Sequence, residues 1–215
     1  FSEEFVMIIG FAHLAINTKN LKELETLYLS KGYKKSNSFF SVKNNQSKKA
    51  FCNNFEENHD LVILDSYEED FSLELTCHGQ TDGKNEQLEI NNGKIIIKTS
   101  EVEELTKFFL NGLGFKKLKK NNIKLESIKQ SWCCDIQMHQ LNTDSSRVDA
   151  EGPSCLAFYS TNILNDKELL ISEGATNPTN IFNLSLGVKS LDIFMARAPG
   201  GVLVELIQIK KKNAT

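Results

Sequence analysis

No run of apolar residues in this chain is longer than Val6–Ile16, and His13 interrupts that one. A bilayer crossing needs about 20 apolar residues, so no membrane span is expected. The run also lacks the basic flank and small-residue cleavage site of a secretory leader. A dominant charge is missing too: 25 Lys and Arg stand against 28 Asp and Glu, a net charge of -3. A protein that grips nucleic acid through its phosphates carries a basic face. Here the clusters at Lys116, Lys117, Lys119, Lys120 and Lys210–Lys212 are offset by acidic segments, so nucleic acid is not an expected partner. Five cysteines, an odd number with Cys133 and Cys134 adjacent, do not make a disulfide framework. A reduced, cytoplasmic setting is the expectation. There is no phosphate-cradling glycine loop, no Gly-x-Ser-x-Gly elbow and no paired Cys-x-x-Cys.

What the chain does have is repetition. Three stretches align: HLAINTKNLKELETLYLSKGYKK from His13, KIIIKTSEVEELTKFFLNGLGFKK from Lys94 and CLAFYSTNILNDKELLISEGA from Cys155. Each reads as an apolar strand, a Ser, Thr or Asn, then an amphipathic helix closing on Gly32, Gly114 or Gly174, 19 or 20 residues after the first position. In the first helix Leu21, Leu24, Leu27 and Tyr28 form the apolar stripe. In the second, Ser100 and Glu103 have capping-box spacing, and Val102, Leu105, Phe108 and Phe109 share a face. In the third, Thr161 or Asn162 is the expected N-cap.

Behind each helix come three short β-like runs: Lys34–Val42, Asp60–Leu64 and Phe71–His78; Phe115–Leu118, Ile123–Ile128 and Cys133–Leu141; Ile181–Leu186, Leu191–Ala196 and Gly201–Ile209. The chain is therefore expected to be α+β, with βαβββ units over residues 7–79, 93–142 and 153–210. Polar stretches at 80–92 and 143–152 read as linkers.

The repeated βαβββ pattern, the histidine in the opening strand, and the closing strands FSLELTCHG and PGGVLVELIQI resemble the vicinal oxygen chelate superfamily. Glyoxalase I, methylmalonyl-CoA epimerase, extradiol dioxygenases and the fosfomycin- and bleomycin-type resistance proteins belong to it. The most specific piece is ARAPGGVLVELIQI, similar to that family's final hairpin. The resemblance implies two units curling mixed sheets into a cleft, with a divalent metal held by inward side chains of first and last strands. It implies a metal-dependent lyase, isomerase, epimerase or dioxygenase acting on a small oxygen-rich molecule. A metal-free binding or sequestration protein of the same fold is the alternative.

Strand alternation transfers this residue by residue. Phe11, His13, Ala15 and Asn17 are expected on one face of the first strand, and Glu74, Thr76 and His78 on one face of the fourth. His13 and Glu74 are the leading pair, a nitrogen and a carboxylate suited to Zn, Ni, Fe or Mn. At the His13 position the other units carry Lys94 and Cys155. At the Glu74 position they carry Gln137 and Glu205. Cys155 suits a soft metal as thiolate, His139 is a substitute ligand and His78 a reserve. Glu74 and Glu205 are ligands or proton-shuttling bases. Lys94, Lys98 and Arg197 either hold a substrate anion or are simply solvated, the duller outcome for all three. Cys133, Cys134 and Trp132 read as ordinary apolar residues. With three units and a two-unit cleft, a two-fold homodimer is expected.

Overall fold

The computed structural model describes residues 8–66, 71–79, 81–117, 124–126 and 134–210. Trp132 and Cys133 lie outside them. Within the described residues the β-α-β-β-β order recurs three times. The first unit is β1 (Ile8–Asn17), α1 (Leu21–Ser30), β2 (Lys34–Lys43), β3 (Asn58–Asp65) and β4 (Leu73–Cys77), with a 3-10 turn at Gln46–Phe51. Strand β5 (Leu88–Asn91) precedes the second unit: β6 (Lys94–Thr99), α2 (Val102–Lys107), β7 (Lys116–Lys117), β8 (Lys124–Glu126) and β9 (Asp135–Gln140). The third is β10 (Gly152–Ser160), α3 (Ile163–Ser172), β11 (Phe182–Leu186), β12 (Lys189–Arg197) and β13 (Leu203–Ile209).

Units one and three join into an eight-stranded sheet of order β11-β12-β13-β10-β1-β4-β3-β2. In each half the opening strand runs parallel to the closing one, and the two opening strands meet antiparallel at the centre. The sheet curls until its edges nearly meet: a Cβ built on Gly187 would lie 3.6 Å from the Phe39 ring of β2. Unit two forms its own sheet, β5-β6-β9-β8-β7. There β5 pairs antiparallel with β6, the place β10 takes beside β1. The stretch expected to be a bare linker thus supplies a strand, and covers within the chain an edge that would otherwise offer unpaired backbone groups.

Local chemistry accounts for the helices. Asn20 caps α1, its side chain accepting from the Glu23 amide and donating to the Glu23 carboxylate. At the other end Gly32, with φ +95°, lets the Tyr33 amide reach the Tyr28 carbonyl. Helix α3 repeats this with Asn162 as its cap and Gly174 at φ +103°. Two expectations are corrected. Leu27 is exposed, so the α1 stripe is Leu21, Leu24 and Tyr28. The Ser100–Glu103 capping box does not form: Glu101 occupies the N-cap without a side-chain bond, and Thr99 accepts from the Glu101 amide instead.

Two apolar clusters divide the molecule. One lies between the convex side of the large sheet, the helices and unit two, joining Phe11, Leu14, Phe158 and Leu206 to Ile95, Ile97, Phe109 and Phe115. Phe158 sits at its centre, edge-on to Phe11, Phe109 and Phe115 at 5.4, 6.3 and 5.8 Å. The second lines the concave side, where Ala12, Ala15, Leu61, Ala157, Met195, Leu203 and Ile207 close on Phe51 and Val148. No helix among the described residues is long and apolar enough to cross a membrane.

Candidate functional site

The strand register places the aligned positions together. Glu74 stands beside Ala15, Glu205 beside Ala157 and Gln137 beside Ile96, the same offset in all three units. Two rows cross the centre of the concave face: Glu74–Ala15–Cys155 and His13–Ala157–Glu205. In each row an alanine separates two polar groups standing two strands apart, about 9–10 Å at the backbone.

One detail of β1 departs from simple alternation. A bulge between Phe11 and His13 turns Phe11 into the convex core and Ala12 onto the concave face, reversing the expected placement of both. His13 keeps its place, buried at 7 % exposure. Its Nε2 lies 3.6 Å from Glu74 Oε2 and has no hydrogen-bond partner among the described residues. Burial outweighs the Glu74 carboxylate and holds the His13 pKa below its ordinary value, with Lys48 acting in the same direction. The pair is therefore a neutral imidazole facing a carboxylate rather than an ion pair.

Burial pushes Glu205 up to about 7, with Glu74 adding to the rise and Lys48 opposing it. The Cys155 thiol is driven well up, first by burial and then by the Glu205 charge. Among the described residues no three His, Cys, Asp or Glu side chains group so as to hold a metal ion. Within each row the alanine holds the donors apart, while His13 and Glu74, from different rows, meet at 3.6 Å; one nitrogen and one carboxylate are fewer donors than a divalent metal site needs. A cation also acts on this cluster.

That cation is Lys48, on the 3-10 turn between β2 and β3, half-buried. Its charge acts on His13, Cys155 and Glu205, and also on His59, His78 and Cys52. In sequence it is one lysine of SKKAF, indistinguishable from a solvated charge. His59 was equally missed, although period-2 counting back from Leu61 on β3 puts it on the concave face. It stacks on His78, ring centroids 4.6 Å apart and 6° from parallel. His78 accepts from Asn44 Nδ2 at 3.3 Å, and His59 Nδ1 meets the Val42 carbonyl at 3.1 Å. Burial, with Lys48 nearby, lowers His59 to about 3 and His78 well below its usual value. Three of the chain's four histidines thus line one concave face.

The remaining expected residues lie elsewhere. His139 is exposed on β9 of the smaller sheet, in register with Lys98, and does not join His13. Lys94 is exposed and Lys98 is ion-paired with Glu89 at 2.9 Å. All three belong to unit two, whose sheet does not form the large concave face. Arg197 does reach the concave face, its guanidinium 5.4 Å from the Phe51 ring centroid. Its Nη1 donates to the Ser146 and Gly201 carbonyls, so it ties down the 141–151 connection instead of standing free for a substrate. Asp149 of that connection accepts from the Asn53 and Asn54 amides at 2.9 and 2.7 Å, fixing the other end of the strap over Phe51.

The paired βαβββ halves, with their parallel first and last strands and curled sheet, make a glyoxalase-like α+β fold. No family model matches the chain, and no curated protein matches it. Solved structures it is similar to include methylmalonyl-CoA epimerase from Mycobacterium tuberculosis, at 13% identity over 96% of this chain and 91% of that one, TM-score 0.46. Glyoxalase I from Zea mays shares 14% identity over 94% of this chain and 68% of that one, TM-score 0.42. An integron cassette protein from the V. cholerae mobile metagenome shares 18% over 53% of this chain and 90% of that one, TM-score 0.39.

Proposed function

We propose that this protein takes a small oxygen-rich metabolite into its concave cleft and moves a proton on it, in the manner of an isomerase or epimerase. Lys48, on the 3-10 turn between β2 and β3, is the cation whose charge acts on this cluster. The observation that carries this reading is the row His13–Ala157–Glu205 on the concave face, with His13 and Glu205 both buried and Glu74 3.6 Å from His13. A proton-transfer group works best when its pKa lies near the operating pH, and Glu205 at about 7 meets that condition. Glu205 as carboxylate takes a proton from the carbon beside a carbonyl and returns it from its acid form. The Lys48 ammonium offsets the negative charge that develops on the carbonyl oxygen. His13, neutral with Nε2 free, orients the same oxygen or its neighbour.

Metal content decides between this and the metal-dependent alternative. Protein purified without chelator, and a His13→Ala variant beside it, are expected to carry no stoichiometric metal, and added zinc, nickel or manganese to leave melting unmoved. Near-stoichiometric metal in the parent that disappears in His13→Ala refutes the proposal.

A further inference from the structure

Edge strands β2 and β11 leave a groove of about 940 Å³ along the seam of the curled sheet, and Lys48 is in its wall. Its lining is unlike that of the other described grooves. Ser38, Ser41, Asn45, Asn183 and Ser185 contribute hydroxyl and amide groups, Phe39, Phe40 and Phe182 contribute rings, and the charges are Lys43 and Lys48 alone. The other grooves each include acidic side chains: Glu86, Glu89 and Glu151 in one, Glu56 and Asp60 in the second, Glu86 and Asp144 in the third. Among the described residues that line it, the charged side chains are these two lysines, which favours an anion as ligand.

Asn44 lines the same groove and is 4 % exposed, its Nδ2 donating to the Glu56 carbonyl and to His78, which fixes its amide in the wall. Rows of amide and hydroxyl side chains beside aromatic faces suit a polyhydroxylated ligand, whose OH groups need both donors and acceptors and whose C–H faces stack on rings.

We infer that the β2–β11 groove binds a small polyhydroxylated anion, a sugar or polyol bearing a carboxylate or phosphate, with its acid group on Lys48 and its hydroxyls on the Asn and Ser side chains. This rests on the cleft reading above and names the substrate class for it.

Calorimetric titration tests it with gluconate, glucose 6-phosphate, glucose and inorganic phosphate on the intact chain at pH 7. At least one anionic sugar is expected to bind at least tenfold tighter than both glucose and inorganic phosphate, and the stronger of the two identifies carboxylate or phosphate as the acid group. Lys48→Ala is expected to lose at least tenfold for that anion, with Lys48→Arg restoring most of it. Equal binding of glucose, equal binding of inorganic phosphate, no binding of either anionic sugar, or full affinity in a folded Lys48→Ala variant overturns the inference. These titrations read binding without turnover, so failure of the proton-transfer proposal leaves this result standing.

Discussion

Replacing Glu205 with glutamine separates a buried acid from an ordinary core residue. Glu205 is 8 % exposed and its pKa rises from the usual 4.5 to about 7, chiefly through burial. A carboxyl whose folded-state pKa lies above its unfolded value stabilises the fold only while protonated. Stability is complete below pH 4.5 and is lost as pH rises through about 7. At roughly 1.4 kcal/mol per pH unit, holding the ionised form in place costs about 3 kcal/mol at pH 8 and above. Glutamine keeps the shape of the protonated acid and cannot ionise, so Glu205→Gln should match the parent at pH 4.5 and exceed it by about 3 kcal/mol at pH 8. For a chain of this size that is a rise in Tm of about 10 °C. Urea unfolding of both proteins at half-unit steps from pH 4.5 to 9 reads the difference directly. A difference that is flat with pH, or that shrinks as pH rises, refutes the picture of a buried carboxyl disfavoured in its charged form. Glu74→Gln is the internal control: removing the neighbouring charge should move the same step to lower pH, since the Glu74 carboxylate adds to the Glu205 rise.

The stacked histidines make the opposite prediction. His59 falls to about 3 in the folded chain, so its contribution is present above pH 6.5 and is lost as pH falls below that. His59→Phe, which keeps a ring against His78, should move the acid-unfolding midpoint downward and gain about 3 kcal/mol relative to the parent at pH 4; an unchanged midpoint counts against the neutral stack. Phe158→Ala removes the ring on which Phe11, Phe109 and Phe115 converge and should cost about 3–5 kcal/mol. Its urea midpoint should fall with the slope unchanged; a loss under 1 kcal/mol would mean that unit two does not depend on this ring for its packing.

The parts of the fold that follow from short stretches of chain were legible without the structure. Two-residue strand periodicity, Asn caps and closing glycines act over a few residues, and they located the three helices and paired His13 with Lys94 and Cys155, and Glu74 with Gln137 and Glu205. Contacts made far along the chain were not legible. The bulge that turns Phe11 away from His13's face is imposed by pairing with β10, more than 140 residues later, and nothing within IIGFAHLAIN encodes it. Neither Lys48 nor His59 stood out in the sequence, and His59 fell one residue before the expected strand Asp60–Leu64, whereas in the fold it stacks on His78. Which units pair is decided the same way. Opening strand β1 carries no Lys, Arg, Asp or Glu and is buried at the centre of the large sheet, whereas β6 carries Lys94 and Lys98 on one face and receives the short strand β5 instead. By itself the sequence determined the repeating unit and the residues at each equivalent position, because backbone preference and side-chain alternation are local. Only the tertiary structure decided which of those residues meet, because burial, the bulge and the reach of one lysine's charge exist only once distant strands have closed around them.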